Sequence, residues 1–155
     1  MINSSIKGRR GERELARILR AAGFTGTQRT IQGRGGAEAP DLSGLPWRVE
    51  VKLGSKAYVQ PLAALEQCER DAALAGDTRP CLAITRVDRG QWLVTARLVH
   101  LWAALGWGQA IVIAPVVQTS REHDPRHLVV TCALADFLAR VRVSLPPAPN
   151  DAGPK

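Results

Sequence analysis

With 155 residues, 45% of them hydrophobic and 23% charged, the chain is long enough for one real core and has the composition of an ordinary globular domain. Its net charge of +7 and pI of about 10.2 favour a polyanionic partner over a cationic one. No apolar run is long enough to span a bilayer, since the longest, residues 110–117, is interrupted by Pro115.

Polar sequence rather than an apolar signal core follows Lys7, Arg9 and Arg10, so a cytosolic protein with no membrane partner is expected. Cys68, Cys81 and Cys132 are odd in number and far apart, with no C-x-x-C pair. That predicts reduced, partly buried thiols rather than a zinc site or a disulfide framework.

In chain order, Ser4 or Ser5 caps an expected helix running to about residue 22, with Gly23 as its C-cap. Gly8 and Gly11 weaken its first turns but let another segment approach closely. Glu12, Leu15, Ile18 and Leu19 share one broad sector, so Glu12 is turned towards the protein and needs a partner, a metal or a hydrogen-bond network. The plainer alternative is an ion pair with Arg9 or Arg13. Between Lys7 and Arg34 there are eight cations (Lys7, Arg9, Arg10, Arg13, Arg17, Arg20, Arg29 and Arg34) against Glu12 and Glu14. That is the footprint of a phosphate-bearing partner, or else a solvated helix face.

Residues 24–31 read as a strand, and Gly33–Gly36 as part of a mobile basic loop without the Walker ending. Pro40-Asp41 opens the stretch around which the chain is organised. Ser43, Gly44 and Pro46 form turns. Trp47, Val49, Val51 and Leu53 alternate with Arg48, Glu50 and Lys52, the pattern of a half-buried strand. Glu50 and Lys52 then share the face away from the apolar residues. A tight reversal over residues 42–47 would return Asp41 beside them. Two carboxylates and an ammonium group at one point suit hard-cation binding and phosphate chemistry, although an exposed Glu-x-Lys strand is the commoner reading of those residues alone.

Pro61 begins a second helix ending at Gly76, with Leu65, Cys68 and Ala72 as its buried stripe. Two short strands follow at residues 80–85 and 91–95, joined by a hairpin-like turn at Asp88–Gly90. A short helix at 97–105 comes next, then an irregular stretch with a strand near 110–113. A strand at 127–131, a closing helix at 133–141 with Leu134, Phe137, Leu138 and Val141 inward, and a Pro-rich disordered tail at 144–155 complete the chain. One α/β domain over residues 1–143 with a mixed sheet is expected, and the Lys52-to-Leu82 crossover should pair its flanking strands in parallel. His100, His123 and His127 are not spaced as ligands of one site. Trp47, Trp92, Trp102 and Trp107 are read as packing residues.

Gly11-Glu12-Arg13-Glu14-Leu15-Ala16, Gly23-Phe24, Arg29, Pro40-Asp41-Leu42, Val49-Glu50-Val51-Lys52 and Tyr58-Val59 occur in one order over roughly residues 7–75. In this order they resemble the PD-(D/E)xK nuclease superfamily, and within it the archaeal and phage-type Holliday junction resolvases. The resemblance implies a restriction-endonuclease-like αβββαβ core and a Mg²⁺-dependent endodeoxyribonuclease, with Mn²⁺ as a substitute. Asp41, Glu50, the Val51 carbonyl and Glu12 would be metal ligands, and Glu12, Asp41, Glu50 and Lys52 the catalytic set. Arg9, Arg10, Arg13, Arg29, Arg34 and Lys56 would contact DNA, with Gln60 and Gln67 as candidate accessory groups. It further implies branched DNA as substrate and a homodimer, in the host cytoplasm if phage-encoded. The alternatives are a nuclease of the same fold acting on ends, nicks or a restriction site, and a non-catalytic DNA-binding subunit. Three clustered acids argue against the last, because they repel phosphate. No recognition-helix motif or zinc finger appears, so base-specific readout is not expected.

Overall fold

The computed structural model describes residues 4–30, 39–55, 57, 59–105 and 128–144. Its elements are α1 (Ser4–Ala21), β1 (Gln28–Arg29), β2 (Leu42–Ser43), β3 (Arg48–Gly54), α2 (Pro61–Ala75), β4 (Cys81–Val87), β5 (Leu93–Arg97), α3 (Leu98–Leu105), β6 (Val129–Ala133) and α4 (Leu134–Ser144). The six strands form one mixed sheet in the order β1-β2-β3-β4-β5-β6. β3 and β4 are parallel, and the other four pairs are antiparallel. The single parallel pair requires a crossover, which α2 supplies. The chain is therefore a mixed α/β fold with helices flanking the sheet, in the element order its periodicity predicts.

Several expectations are corrected. The strand over residues 24–31 shortens to Gln28–Arg29, because Gly23 takes a positive φ of 106° and Phe24 turns inward, 7% exposed, to close the end of α1. β5 and β6 each lie two residues further along than predicted. Gly90 donates to the Val87 carbonyl at 2.8 Å to close the turn after β4, and Trp92 is still outside the ladder. The largest correction concerns β3, which is not half-buried. Arg48 is 2% and Glu50 8% exposed, because α2 covers the face that the alternation assigned to solvent.

The two faces of the sheet carry separate cores. On one side Leu15 and Leu19 of α1 and Phe137 of α4 pack with Trp47, Val49, Leu82 and Ile84. Trp47 meets Phe24 and Phe137 edge-on, at ring centroid distances of 5.0 and 5.3 Å. α1 lies close against β3 because Gly11 has no side chain, and a Cβ there would stand 2.9 Å from Leu53 Cδ2. On the other side Leu65, Cys68 and Ala72 of α2 cover Cys81 and Ala83. A hydrogen bond with Cys81, and then burial, push the Cys68 thiol far above the ordinary range. All three cysteines are buried, as expected. The buried Arg48 guanidinium is neutralised by Asp77 at 3.2 Å. Arg79 holds that carboxyl well below the usual range and also donates to the Leu45 carbonyl.

α2 carries Pro61 at its start and ends on Gly76, whose φ of 64° is left-handed and whose missing Cβ would touch nothing within 4 Å. Gly76→Ala therefore carries only the backbone cost. It should destabilise the protein by about 1 kcal/mol in urea unfolding, with the geometry around Asp41 and Glu50 unaffected.

The loop containing Arg34, together with Lys56, Tyr58, the strand near 110–113, Trp107, His123, His127 and the tail beyond Ser144, falls outside the described residues, as does the Trp102 side chain. Among the described residues no helix is long and apolar enough to cross a membrane.

Candidate active site

The site is assembled by a hairpin at the edge of the sheet. Leu42 of β2 pairs with Val49 of β3, and the Asp41 N–H donates to the Val49 carbonyl at 3.2 Å. Gly44, at φ 74°, reverses the chain between the two strands against the backbone of Gly26. On the other side the Thr30 N–H donates to the Asp41 carbonyl at 2.9 Å. Asp41 is thus clamped from both neighbouring strands, and its Oδ2 accepts the Val51 N–H at 2.7 Å. The reversal expected from Ser43, Gly44 and Pro46 is present, and it brings Asp41 to β3.

Glu50 and Lys52 share a face of β3, as the two-residue period requires, and their side chains pair at 2.7 Å. Glu12 reaches the same region from α1. It is turned inward, with its side chain 13% exposed, and its partner is Arg29 of β1 rather than Arg9 or Arg13. At about 100° per residue, Arg9 and Arg13 point outward while Glu12 faces the sheet edge. Asp41 senses both other acids. Burial first, then the charge of Glu50 and, more weakly, that of Glu12, push the Asp41 carboxyl up to about 7, against the opposing pull of the Val51 N–H and Lys52.

The donor set consists of oxygens, which suits a hard divalent cation. Among the described residues no three acidic, histidine or cysteine side chains are already gathered as ligands. Each acid instead has its own donor: Glu12 has Arg29, Glu50 has Lys52, and Asp41 has the Val51 N–H. A cation would take the place of those partners. The residues fit a metal by chemistry and by mutual repulsion, with the side chains set in ion pairs.

α2 adds a cleft of about 420 Å³ lined by Lys52, Ala57, Gln60, Ala63, Ala64 and Gln67. Gln60 occupies the N-cap position of α2 without capping it through its side chain. Both glutamines singled out in the sequence therefore line the same cleft as Lys52. Of the cations expected to meet DNA, Arg9, Arg10 and Arg13 are exposed on α1, and Arg29 is committed to Glu12. Nothing in the sequence marked Thr30. Its N–H positions Asp41, while its own hydroxyl is buried with no hydrogen-bond partner among the described residues. The register of a two-residue strand sets that contact, and it leaves no local signature. His100 lies on α3, with a buried ring nitrogen (Nδ1) that has no hydrogen-bond partner among the described residues.

Compared with protein-family models, curated proteins and solved structures, the chain gives no significant match in any of the three.

Proposed function

We propose that the chain is a metal-dependent endodeoxyribonuclease with a restriction-endonuclease-like αβββαβ core. The observation that carries this reading is the convergence of three carboxylates from α1, β3 and the segment before β2. Burial, with the charges of Glu50 and Glu12 added to it, raises the Asp41 carboxyl to about 7, and a lysine stands two residues beyond Glu50. Buried like charges of this kind are unfavourable for folding and favourable for binding a cation. Asp41 and Glu50 would hold Mg²⁺ or Mn²⁺, with Glu12 and the Val51 carbonyl completing the shell. A cation so bound neutralises phosphodiester charge and acidifies water. Lys52 supplies positive charge where negative charge develops in the attack on phosphorus. Gln60 and Gln67 are placed to orient the substrate from the α2 cleft. The proposed substrate is branched DNA, cut by a two-fold dimer that sets two sites on opposed strands.

The test is cleavage of a labelled four-way junction and a matching linear duplex, with Mg²⁺ and with EDTA, for the parent and for Lys52→Ala. Paired symmetric nicks confined to the junction, lost in EDTA and in the variant, are the expected result. Equal cutting of both substrates would retain the nuclease and remove the junction preference. Salt-sensitive binding with no cutting in any lane would leave a DNA-binding domain without catalysis. Sedimentation of the free and junction-bound protein checks the dimer, and a monomer in both states would exclude it.

A further inference from the structure

We infer that the outer face of α1 is a rail for the phosphate backbone of a nucleic-acid duplex, extending past the site to Arg17 and Arg20. The inference shares with the nuclease reading only the identity of the partner. At about 100° per residue, Arg9, Arg20, Arg13, Arg17 and Arg10 fall within a sector of about 100°. All five are exposed, and the sector lies opposite Leu15 and Leu19, which are buried in the core.

The structure sorts cations in a way that composition does not. Arg29, Arg48, Arg79, Arg86 and Arg97, on the sheet or its loops, are each held by a carboxylate. Arg9, Arg13 and Arg17 have no ion pair among the described residues. The acid bordering the stripe, Glu14, is taken by Arg86 in a two-pronged pair and also accepts from the Trp92 indole at 3.4 Å. Lys7, at the same border, is taken by Asp88. Arg20 is anchored by donating to the Thr27 carbonyl at 2.7 Å, which fixes the far end of the stripe. The fold thus removes neighbouring counter-charges and leaves the stripe cationic.

Two features specify the partner. Apart from Ile6 in the first turn, which is 61% exposed, the large apolar residues of α1 are used in the core, so the helix has no apolar face to insert into a membrane and its outer side is dominated by charge. Among the described residues the aromatic side chains, Phe24, Trp47, Trp92 and Phe137, are all buried, so none of these offers the stripe a platform on which unpaired bases could stack. A partner with its phosphates outside and its bases already stacked fits this surface, and a duplex has that form. From Arg9 to Arg20 the helix rises about 16 Å, against about 3.4 Å of axis per phosphate on one strand, so the rail covers about five phosphates. Such contacts position the duplex and carry no sequence information.

The experiment is fluorescence anisotropy in EDTA, where cleavage plays no part, over 50 to 200 mM salt. The probes are a 20-base-pair duplex and a single strand of equal length. The triple variant Arg9→Gln/Arg13→Gln/Arg17→Gln is compared with the parent and with Arg70→Gln/Arg89→Gln, which removes two exposed arginines off α1. Losing three phosphate contacts should flatten the slope of log affinity against log salt by about 2.7, so the parent loses about 40-fold more affinity across that range than the triple variant does. The control should keep the parental slope, and duplex should bind more tightly than single strand. Thermal midpoints check that both variants fold, and Arg→Lys at the same three positions should retain the slope. An unchanged slope in the triple variant would overturn the inference. So would a control that flattens equally per arginine, or single strand bound as tightly as duplex. Stripe-dependent binding to anionic vesicles with no binding to duplex would overturn it in favour of a membrane surface. Absence of cleavage with this binding pattern intact would remove the nuclease reading alone.

Discussion

Asp41→Asn is expected to stabilise the metal-free protein above neutral pH while reducing the proposed phosphodiester hydrolysis by at least about 10³-fold. The folded carboxyl titrates at about 7, against an ordinary 3.8. Between those values the folded protein keeps a proton that the unfolded chain has lost, so stability falls as pH rises from about 4 to about 7 and stays low beyond. Burial is the larger cause and the Glu50 charge the second. An amide can keep the hydrogen bond from Val51 and carries no charge. Parent and variant should therefore converge near pH 4 and diverge by on the order of 4 kcal/mol at pH 8. For a chain of this size that corresponds to a melting temperature roughly 10 °C higher in the variant. Melts in EDTA at pH 5 and pH 8 measure it, and a variant no more stable than the parent at pH 8 would refute the electrostatic account. Adding Mg²⁺ at pH 8 should raise the parental melting temperature and leave that of the variant nearly unchanged, since Asp41 is a principal ligand in the proposed site.

Gly44→Ala is expected to cost about 3 kcal/mol of stability and most of the proposed nuclease activity. Gly44 has a φ of 74°, which alanine adopts at a cost of about 1 kcal/mol. A Cβ there would also overlap the carbonyl oxygen of Gly26 and approach Thr27 N to 3.2 Å. Both obstacles are backbone, so relief requires the β1–β2 edge to part. That edge carries Asp41, held between Thr30 and Val49. The variant should lose activity even at temperatures where it remains folded, unlike Gly76→Ala, where the new methyl group meets open space. Urea unfolding of the two variants side by side, with cleavage assays below the transition, separates the effects. Equal costs for the two would show that the Gly26–Gly44 approach places no demand on the hairpin.

Much of this molecule is written locally. The 3.6-residue period of Leu15, Leu19 and Ala22 fixes α1, and Pro61 and Gly76 bound α2. The two-residue period of Trp47, Val49 and Val51 fixes β3, and the turn residues after Asp41 fix its return to that strand. These signals depend on the few residues around each position, and from them the element order and the meeting of Asp41, Glu50 and Lys52 were legible. Three things were decided only by tertiary structure. The face of β3 bearing Glu50 looks solvated in sequence and is covered, because α2 must cross it to make β4 parallel. Glu12 pairs with Arg29, seventeen positions away, because α1 lies on β3 through Gly11 and brings the β1 edge beside it. Some arginines are held by Asp77, Glu14 and Glu69 while those on the outer side of α1 are left outward, a difference set by distances between elements. Periodicity says which way a side chain points from its own backbone. What stands opposite it is fixed only when another element packs there, and charge pairing and burial, unlike helix and strand, depend on that neighbour.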